Sequence, residues 1–292
     1  SSPRGGGGAS CAVPYDDDPE ASLMVQYFRR PRNVPAIFRA LRRSPERTEV
    51  MVNNDSGGDF AEFRRELLGV SNGFVAFAHD VHEIRGYNRL SLLAAAPVLV
   101  TLQDDDVPSK KGSMWLAEAL ALFREFPRLS YLTGYRARAG AGGNYGLLRE
   151  AIPTRSQQGV PFMFAYKLVA GPLFLRRSVF MDLGMFNYNM SCAGDPGIHF
   201  EYEYSLRTWL RGWHAGLYDC KFDHHIGDWD KSGTRSNSKV ERRRAEVGKR
   251  NSRALRVVYE GVHRGKGDPS VKLSTRAAEV QARLAAGEPP SR

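Results

Sequence analysis

Cysteine is scarce in this chain: Cys11, Cys192 and Cys220 are the three thiols among 292 residues. Their spacing matches no zinc pattern, and three are too few for a disulfide-built scaffold. Cys192 and Cys220 can pair if the chain is secreted, and two buried free thiols fit equally well. No stretch approaches the ~20 apolar residues that a membrane helix needs; the longest, Leu92 to Leu102, is short and carries Pro97. The glycine-rich segment Gly140-Ala141-Gly142-Gly143-Asn144-Tyr145-Gly146 does not stand between a strand and a helix as a dinucleotide fingerprint would. Nucleic-acid-binding signatures are missing as well, and no nucleic acid is expected as a partner.

What is present is a chain that is 42% apolar, enough for one large α/β domain or two small ones. Its net charge of +10 is unevenly spread. Residues 231–292 hold 16 Lys/Arg against 6 Asp/Glu, while residues 1–230 hold 26 of each. The body is neutral and the tail is basic. Such a tail reads as a solvated helix, or as a contact for nucleic acid, anionic lipid or an acidic partner. The start, Ser1-Ser2-Pro3-Arg4 followed by four glycines, has no initiator Met and reads as a flexible stem over residues 1–21.

Strands and helices alternate through the body. Leu23 to Phe28, 49–53, 73–78, the apolar run ending at Asp104, 129–133, 167–175 and 214–218 are strand-like. Asn33 is placed to cap a helix carrying Ile37, Phe38 and Leu41, and Asp59 with Glu62 resembles a capping box. A helix is expected over 83–95. Trp115, Ala119, Leu122 and Phe126 form a core stripe on the next. Residues 200–211 form an amphipathic helix in which Glu203 can pair with Arg207, stopped by Gly212. The segment 134–159 is expected to be irregular. This alternation predicts an α/β fold, a mostly parallel sheet with helices on both faces, and a helical basic tail over 236–292.

The most informative stretch is Ala96-Pro97-Val98-Leu99-Val100-Thr101-Leu102-Gln103-Asp104-Asp105-Asp106. A Val/Leu strand belongs in a sheet interior, where a carboxylate costs several kcal/mol unless neutralised. The acids must therefore stand at the sheet rim, where open α/β sheets bind ligands. If the segment stays extended, Asp104 and Asp106 point one way and Asp105 the other. A hard divalent cation that also grips a substrate phosphate would relieve their mutual repulsion. A solvated acidic loop is the plain alternative.

Several segments in order resemble the GT-A glycosyltransferases, particularly the family 2-like branch, over residues 22–235. They are Tyr27-Phe28-Arg29-Arg30-Pro31 after the first strand and Val52-Asn53-Asn54-Asp55-Ser56 after the second. Asn88-Arg89 on a helix, the triple Asp, Leu183-Gly184-Met185-Phe186, Glu201-Tyr202-Glu203 with Arg207 and Gly212, and His224 with Gly227 follow. The resemblance implies a Rossmann-like GT-A fold with a nucleotide-binding half (22–110) and an acceptor-binding half (111–235). It also implies sugar transfer from a nucleotide-diphosphate donor, UDP-sugar favoured, to a hydroxyl of a glycan or glycoprotein.

By the same resemblance the Asp-x-Asp motif holds Mn²⁺ or Mg²⁺, which stabilises the charge on the diphosphate leaving group. Asp106 is the first choice of ligand and Asp104 meets the metal or the donor ribose. His224, or its neighbour His225, adds a ligand, and an imidazole would favour Mn²⁺. An inverting enzyme needs a carboxylate base. Family spacing gives Glu201 that place, with Asp195 competing, although Phe200-Glu201 stands where the family has Glu-Asp. Phe28, Arg30, Asn53, Asn54, Asp55, Arg89, Asp105 and Gly171 are the expected donor-binding residues, with Asn53 and Asn54 standing where Asp is common. Trp209, Trp213 and Trp229 are candidates to stack on a sugar, Trp209 more naturally as core. Members that act on glycoproteins work in the Golgi or secretory lumen as type II membrane proteins, so an anchor upstream of the stem is expected. Two other readings stay open: a metal-dependent phosphohydrolase with Asp-x-Asp, disfavoured by Pro108 and by the strands that precede the motif, and a non-catalytic nucleotide-sugar-binding protein.

Overall fold

The computed structural model describes residues 18–288 apart from 44–46, 69, 71, 111–113, 139–145, 148–151, 153, 170, 193, 228–237 and 260–268. Strand β1 (Ala21–Tyr27) is buried at all seven positions, as expected of a central strand covered on both faces. It pairs in parallel with β2 (Thr48–Asn54) on one side and β4 (Val98–Gln103) on the other, and β3 (Gly73–Phe77) extends the sheet beyond β2. Helices α1 (Val34–Leu41), α2 (Phe60–Leu67) and α3 (His82–Leu93) connect these strands.

After β4 come β5 (Val107–Pro108), α4 (Trp115–Glu125), β6 (Leu129–Thr133), β7 (Arg136–Arg138), β8 (Gly146–Leu147), β9 (Phe162–Phe164), β10 (Lys167–Val169), β11 (Leu173–Arg176) and α5 (Arg177–Asp182). Then follow α6 (Phe200–Leu210), β12 (His214–Tyr218), β13 (Phe222–Asp223), α7 (Ser238–Val258) and α8 (Pro269–Ala285). The main sheet has eight strands in the order β3-β2-β1-β4-β11-β6-β12-β9. Strand β11 runs antiparallel to both neighbours, and β12 is parallel to β6. A three-stranded sheet, β10-β7-β8, and the pair β13-β5 complete it.

Three local expectations change. The single strand over 167–175 is two: β10 joins the small sheet and β11 the large one, with a cis peptide between Gly171 and Pro172. The edge of the main sheet is β9, antiparallel to β12, a strand that the sequence pattern did not mark. Neither expected N-cap works as one. Asn33 donates instead to the backbone of Asp104 and Ile226, and Asp59 accepts from the Tyr27 hydroxyl at 2.6 Å. Both side chains found tertiary partners more demanding than their own helix. Trp229 and most of the glycine-rich segment lie outside the described residues.

Several residues of the recurring segments tie the fold together. Asn88 clamps the backbone of Phe186 in both directions, at 2.8 and 3.1 Å. Arg207 donates to the carbonyls of Leu183 and Met185 and pairs with Glu203 as the helix spacing anticipates. Around them Tyr87, Phe180, Phe186, Phe200 and Tyr204 pack edge to face. Trp115 and Trp209 are fully buried, so Trp209 is core and offers no face to a sugar.

The basic tail is docked rather than solvated. Asn251 donates to the carbonyls of Met190 and Ile198, the Tyr259 hydroxyl reaches Glu203, and Gln281 binds the backbone of Phe164. Burial of Val247, Leu255, Leu273, Ala277 and Val280 adds an apolar seam.

One buried group makes the fold sensitive to acid. His214 opens β12 with its ring against Trp209 and Phe164, and its Nδ1 finds no hydrogen-bond partner among the described residues. Burial, with Arg276 and Arg128 nearby, pushes its pKa down to about 4. The unfolded chain binds this proton near pH 6.5 and the folded chain only near 4, so this stability is intact above 6.5 and is lost as pH falls between those values. The contribution is on the order of 2–3 kcal/mol. Urea denaturation from pH 7 to 4 should show the loss, and His214→Leu should flatten it; an equal slope in both proteins would refute the assignment.

Candidate functional site

The carboxyl ends of β1, β2 and β4 lie side by side, because Gln26 is in register with both Asn53 and Gln103. Beyond Gln103 the backbone turns at once: the amide of Asp106 donates to the carbonyl of Gln103 at 3.2 Å. The segment is not extended here, so the expected alternation of the acids fails. Asp104 and Asp105 reach the same guanidinium, that of Arg30, at 2.5 and 3.1 Å. Asp106 goes elsewhere, to His224 Nδ1 at 3.0 Å. All three acids are buried.

Each contact has a local cause. Tyr27 ends β1, and its hydroxyl accepts from the amide of Arg30, shaping the turn that carries this guanidinium back under the acids. The amide of Phe28 donates to Asp104 Oδ2 at 2.7 Å while Arg30 holds Oδ1, so both oxygens of Asp104 are engaged. His224 arrives through the β5-β13 ladder, which sets Asp223 opposite Val107, the residue after Asp106. The ladder continues as Ser109 N to Lys221 O and Ile226 N to Asp105 O, at 2.9 and 2.8 Å. The ring of Tyr135 lies 3.9 Å from that of His224 and orients it. Gly227 is required beside it: its φ is +66°, and a Cβ there would fall 2.4 Å from Asn33 Oδ1.

A pocket opens against these acids, lined among others by Gln26, Phe28, Asp55, His82, Asp104 and Arg244. Asp55 is held by the amides of Val81 and His82, each at 2.8 Å, and burial raises its pKa against the pull of those bonds. Burial also pushes Asp104 up to about 7, with Arg30 pulling against it. Asp106 is raised by burial too, and the His224 hydrogen bond opposes the shift.

Of the expected donor-binding residues, Phe28, Arg30, Asp55, Asp104 and Asp105 meet at this pocket. Asn53 and Asn54 stand behind it: Asn53 donates to Gln26, while Asn54 shapes its own loop through Gly58 and Ser56. Arg89 is exposed, and Gly171 is packed near Thr101; neither lines the pocket. Glu201 stands in the first turn of α6, half-buried, with its carbonyl accepting from Tyr131. Glu201 does not line the pocket. The buried Tyr87 hydroxyl donates to the carbonyl of Leu102 at 2.9 Å, and burial raises its pKa, with Glu83, Asp106, Asp104 and Glu201 adding to the shift. Asp195 does not offer a free base. Burial alone would raise its carboxyl, but Arg243 at 2.6 Å and Arg250 at 3.2 Å hold it below the usual range. Sequence reasoning missed Gln26, His82, Glu83 and Arg244; position at the end of β1 was the signal for Gln26, and nothing local marked the others.

A divalent cation is testable against this donor set. Asp106 and His224 supply a hard oxygen and an imidazole nitrogen, a combination suited to Mn²⁺. Among the described residues no three His, Cys, Asp or Glu side chains converge as a complete cage. A cation here would keep positions for water and substrate oxygens, as phosphate-binding sites commonly do. Asp104, expected as a ligand, is committed to Arg30 and Phe28 and fits the role poorly.

No protein-family model and no curated protein sequence matches the chain. Solved structures do. A crystal structure of S. aureus TarS (residues 1–349) in complex with UDP-GlcNAc matches with a TM-score of 0.51 and 13% identity, over 68% of this chain and 55% of that one. GalNAc-T7 with UDP, GalNAc and Mn²⁺ matches at 0.61 and 12%, over 94% of this chain and 59% of that one. The mannosyltransferase PcManGT from Pyrobaculum calidifontis, in complex with GDP-Man and Mn²⁺, gives 0.54 and 12%, over 94% and 77%. This chain therefore has the GT-A glycosyltransferase fold, and it spans little more than half the length of the TarS and GalNAc-T7 chains.

The geometry makes Arg30 indispensable to the rim. Arg30→Met leaves Asp104 and Asp105 buried without their cation, which should cost about 3 kcal/mol of unfolding free energy. Urea denaturation measures it; a loss under about 1 kcal/mol would mean that the pair behaves as a hydrated surface pair.

Proposed function

We propose that this chain is a metal-dependent glycosyltransferase that moves a sugar from a nucleotide-diphosphate donor to an acceptor hydroxyl, with inversion. The observation that carries the reading is the pairing of Asp106 with His224 at 3.0 Å on a GT-A fold, each the sequence neighbour of a residue, Asp105 or His225, that lines the rim pocket. Two of the similar structures hold UDP or a UDP-sugar and one holds GDP-Man, which favours a UDP-sugar here.

The residues divide the work. Gln26 and Asp55 present amide and carboxylate edges suited to a nucleoside, and Phe28 offers a ring for the base. Arg30 cancels much of the charge of Asp104 and Asp105, so a dianionic diphosphate can approach an otherwise acidic rim. Asp106 and His224 would hold Mn²⁺ or Mg²⁺, and such a cation supplies charge stabilisation to the departing diphosphate. Glu201 accepts the proton of the acceptor hydroxyl as its oxygen bonds to the anomeric carbon and the bond to the diphosphate breaks. Asp195 keeps a structural task, since a carboxylate clamped by two arginines is a weak base. A glycan or glycoprotein acceptor, and a Golgi or secretory setting with an anchor upstream, complete the proposal.

Calorimetry with UDP and turnover of UDP-sugars, with and without Mn²⁺, test it. Asp106→Ala and His224→Ala should each remove the Mn²⁺ dependence of UDP binding. Glu201→Gln should bind UDP normally and lose 10²–10⁴-fold in turnover, the usual contribution of a positioned base. Near-full turnover by Glu201→Gln would end the base assignment, and unchanged Mn²⁺ dependence in Asp106→Ala the metal assignment. Binding without turnover would favour a non-catalytic receptor, and release of phosphate from a simple ester a phosphohydrolase.

A further inference from the structure

Helix α7, the first of the basic tail, reaches the pocket through the side chain of Arg244. Arg244 lines the same cavity as Gln26, Phe28, Asp55, Asp104 and Asp105. The pocket already contains an arginine, but Arg30 is committed to two carboxylates at 2.5 and 3.1 Å. Arg244 is different. Its side-chain partner among the described residues is Glu241, one turn back on the same helix, at a loose 3.8 Å. Its side chain is 28% exposed, so it is neither buried in the core nor spread in solvent. A guanidinium with its donors largely unused, facing a pocket, is suited to a phosphate group.

The helix is held in that position by an anchor beside the pocket. Arg243, the residue before Arg244, and Arg250, about two turns further along from Arg243, both grip buried Asp195, at 2.6 and 3.2 Å. Asn251 adds bonds to the carbonyls of Met190 and Ile198 at 2.5 and 2.7 Å. The loop that carries Asp195 is itself tied to the pocket, since the amide of Gly197 donates to Glu83, another lining residue. Arg243 and Arg250 spend their charge on the anchor, which leaves Arg244 to face the cavity.

We propose that Arg244 is an anion-binding residue for the diphosphate of the donor, and that Asp195 is the positioning residue that aims it by fixing α7. The basic tail is then one wall of the donor site. This inference rests on the nucleotide-diphosphate reading above and names the part of the chain that completes the site.

Calorimetry of the full chain with UDP, UMP, uridine and inorganic pyrophosphate, each with Mn²⁺, tests it. Arg244→Ala should weaken UDP and pyrophosphate about tenfold, as expected for loss of a hydrogen bond to a charged group. UMP should weaken less and uridine not at all, and Arg244→Lys should recover part of the loss. Asp195→Asn should give a similar loss for UDP, and the double variant should be no weaker than Arg244→Ala alone. Unchanged UDP affinity in Arg244→Ala overturns the inference while leaving the donor reading intact, as does an equal loss for uridine and UDP. A fall in melting temperature for Asp195→Asn with UDP affinity preserved overturns the positioning role. If the wild-type chain binds neither UDP nor GDP with Mn²⁺, the donor reading and this inference fall together.

Discussion

The guanidinium of Arg30 between Asp104 and Asp105 is the contact on which the rim depends. Two buried carboxylates three bonds of backbone apart repel strongly, and water is not there to screen them. Arg30 relieves that repulsion from within the chain, before any substrate arrives. Its position follows from the turn after β1, where the Tyr27 hydroxyl accepts from the Arg30 amide and the Phe28 amide donates to Asp104. Asn33 then fastens the carbonyl of Asp104 to the segment around Ile226. One cation thereby joins the ends of β1 and β4 with the distant loop that carries His224.

That arrangement assigns the three acids different tasks. Asp104 and Asp105 are structural anions with an internal counter-ion, whereas Asp106 faces an imidazole and keeps a second oxygen for other use. The division arises from the turn closed by the Asp106 amide on Gln103, which breaks the strict alternation of an extended strand. A dianionic ligand meets a rim whose charge is already half cancelled. The tail adds to the same balance: the helix clamped on Asp195 carries a second arginine, Arg244, that lines the pocket beside Arg30.

Much of this was legible in the sequence, and the part that was not has a common cause. Hydrophobic runs located the parallel strands, and the abrupt change from Leu102 to Asp104 marked a sheet rim, since burial of apolar side chains is a local signal. His224 followed from a resemblance rather than from any pattern of its own. The β5-β13 ladder that delivers it joins segments more than a hundred residues apart, and two-residue strands leave no periodicity to read. The same holds for Asn33 and Asp59, whose cap-like positions were plain but whose side chains bond across the fold. Charge counting described the tail as a basic appendage; it could not reveal that Arg243 and Arg250 are consumed by one buried aspartate. Asn88 and Arg207, landmarks of the resemblance, are ties between helices and the 183–186 turn.

The central claim is that Arg30 keeps Asp104 and Asp105 while Asp106 and His224 are left for a cation. A crystal grown with UDP and Mn²⁺ and measured at the manganese absorption edge decides it. The account predicts one anomalous peak within bonding distance of Asp106 and His224, with the Arg30–Asp104 contact intact. A peak on Asp104 with Arg30 swung away, or no peak at the rim while UDP occupies the pocket, would contradict it.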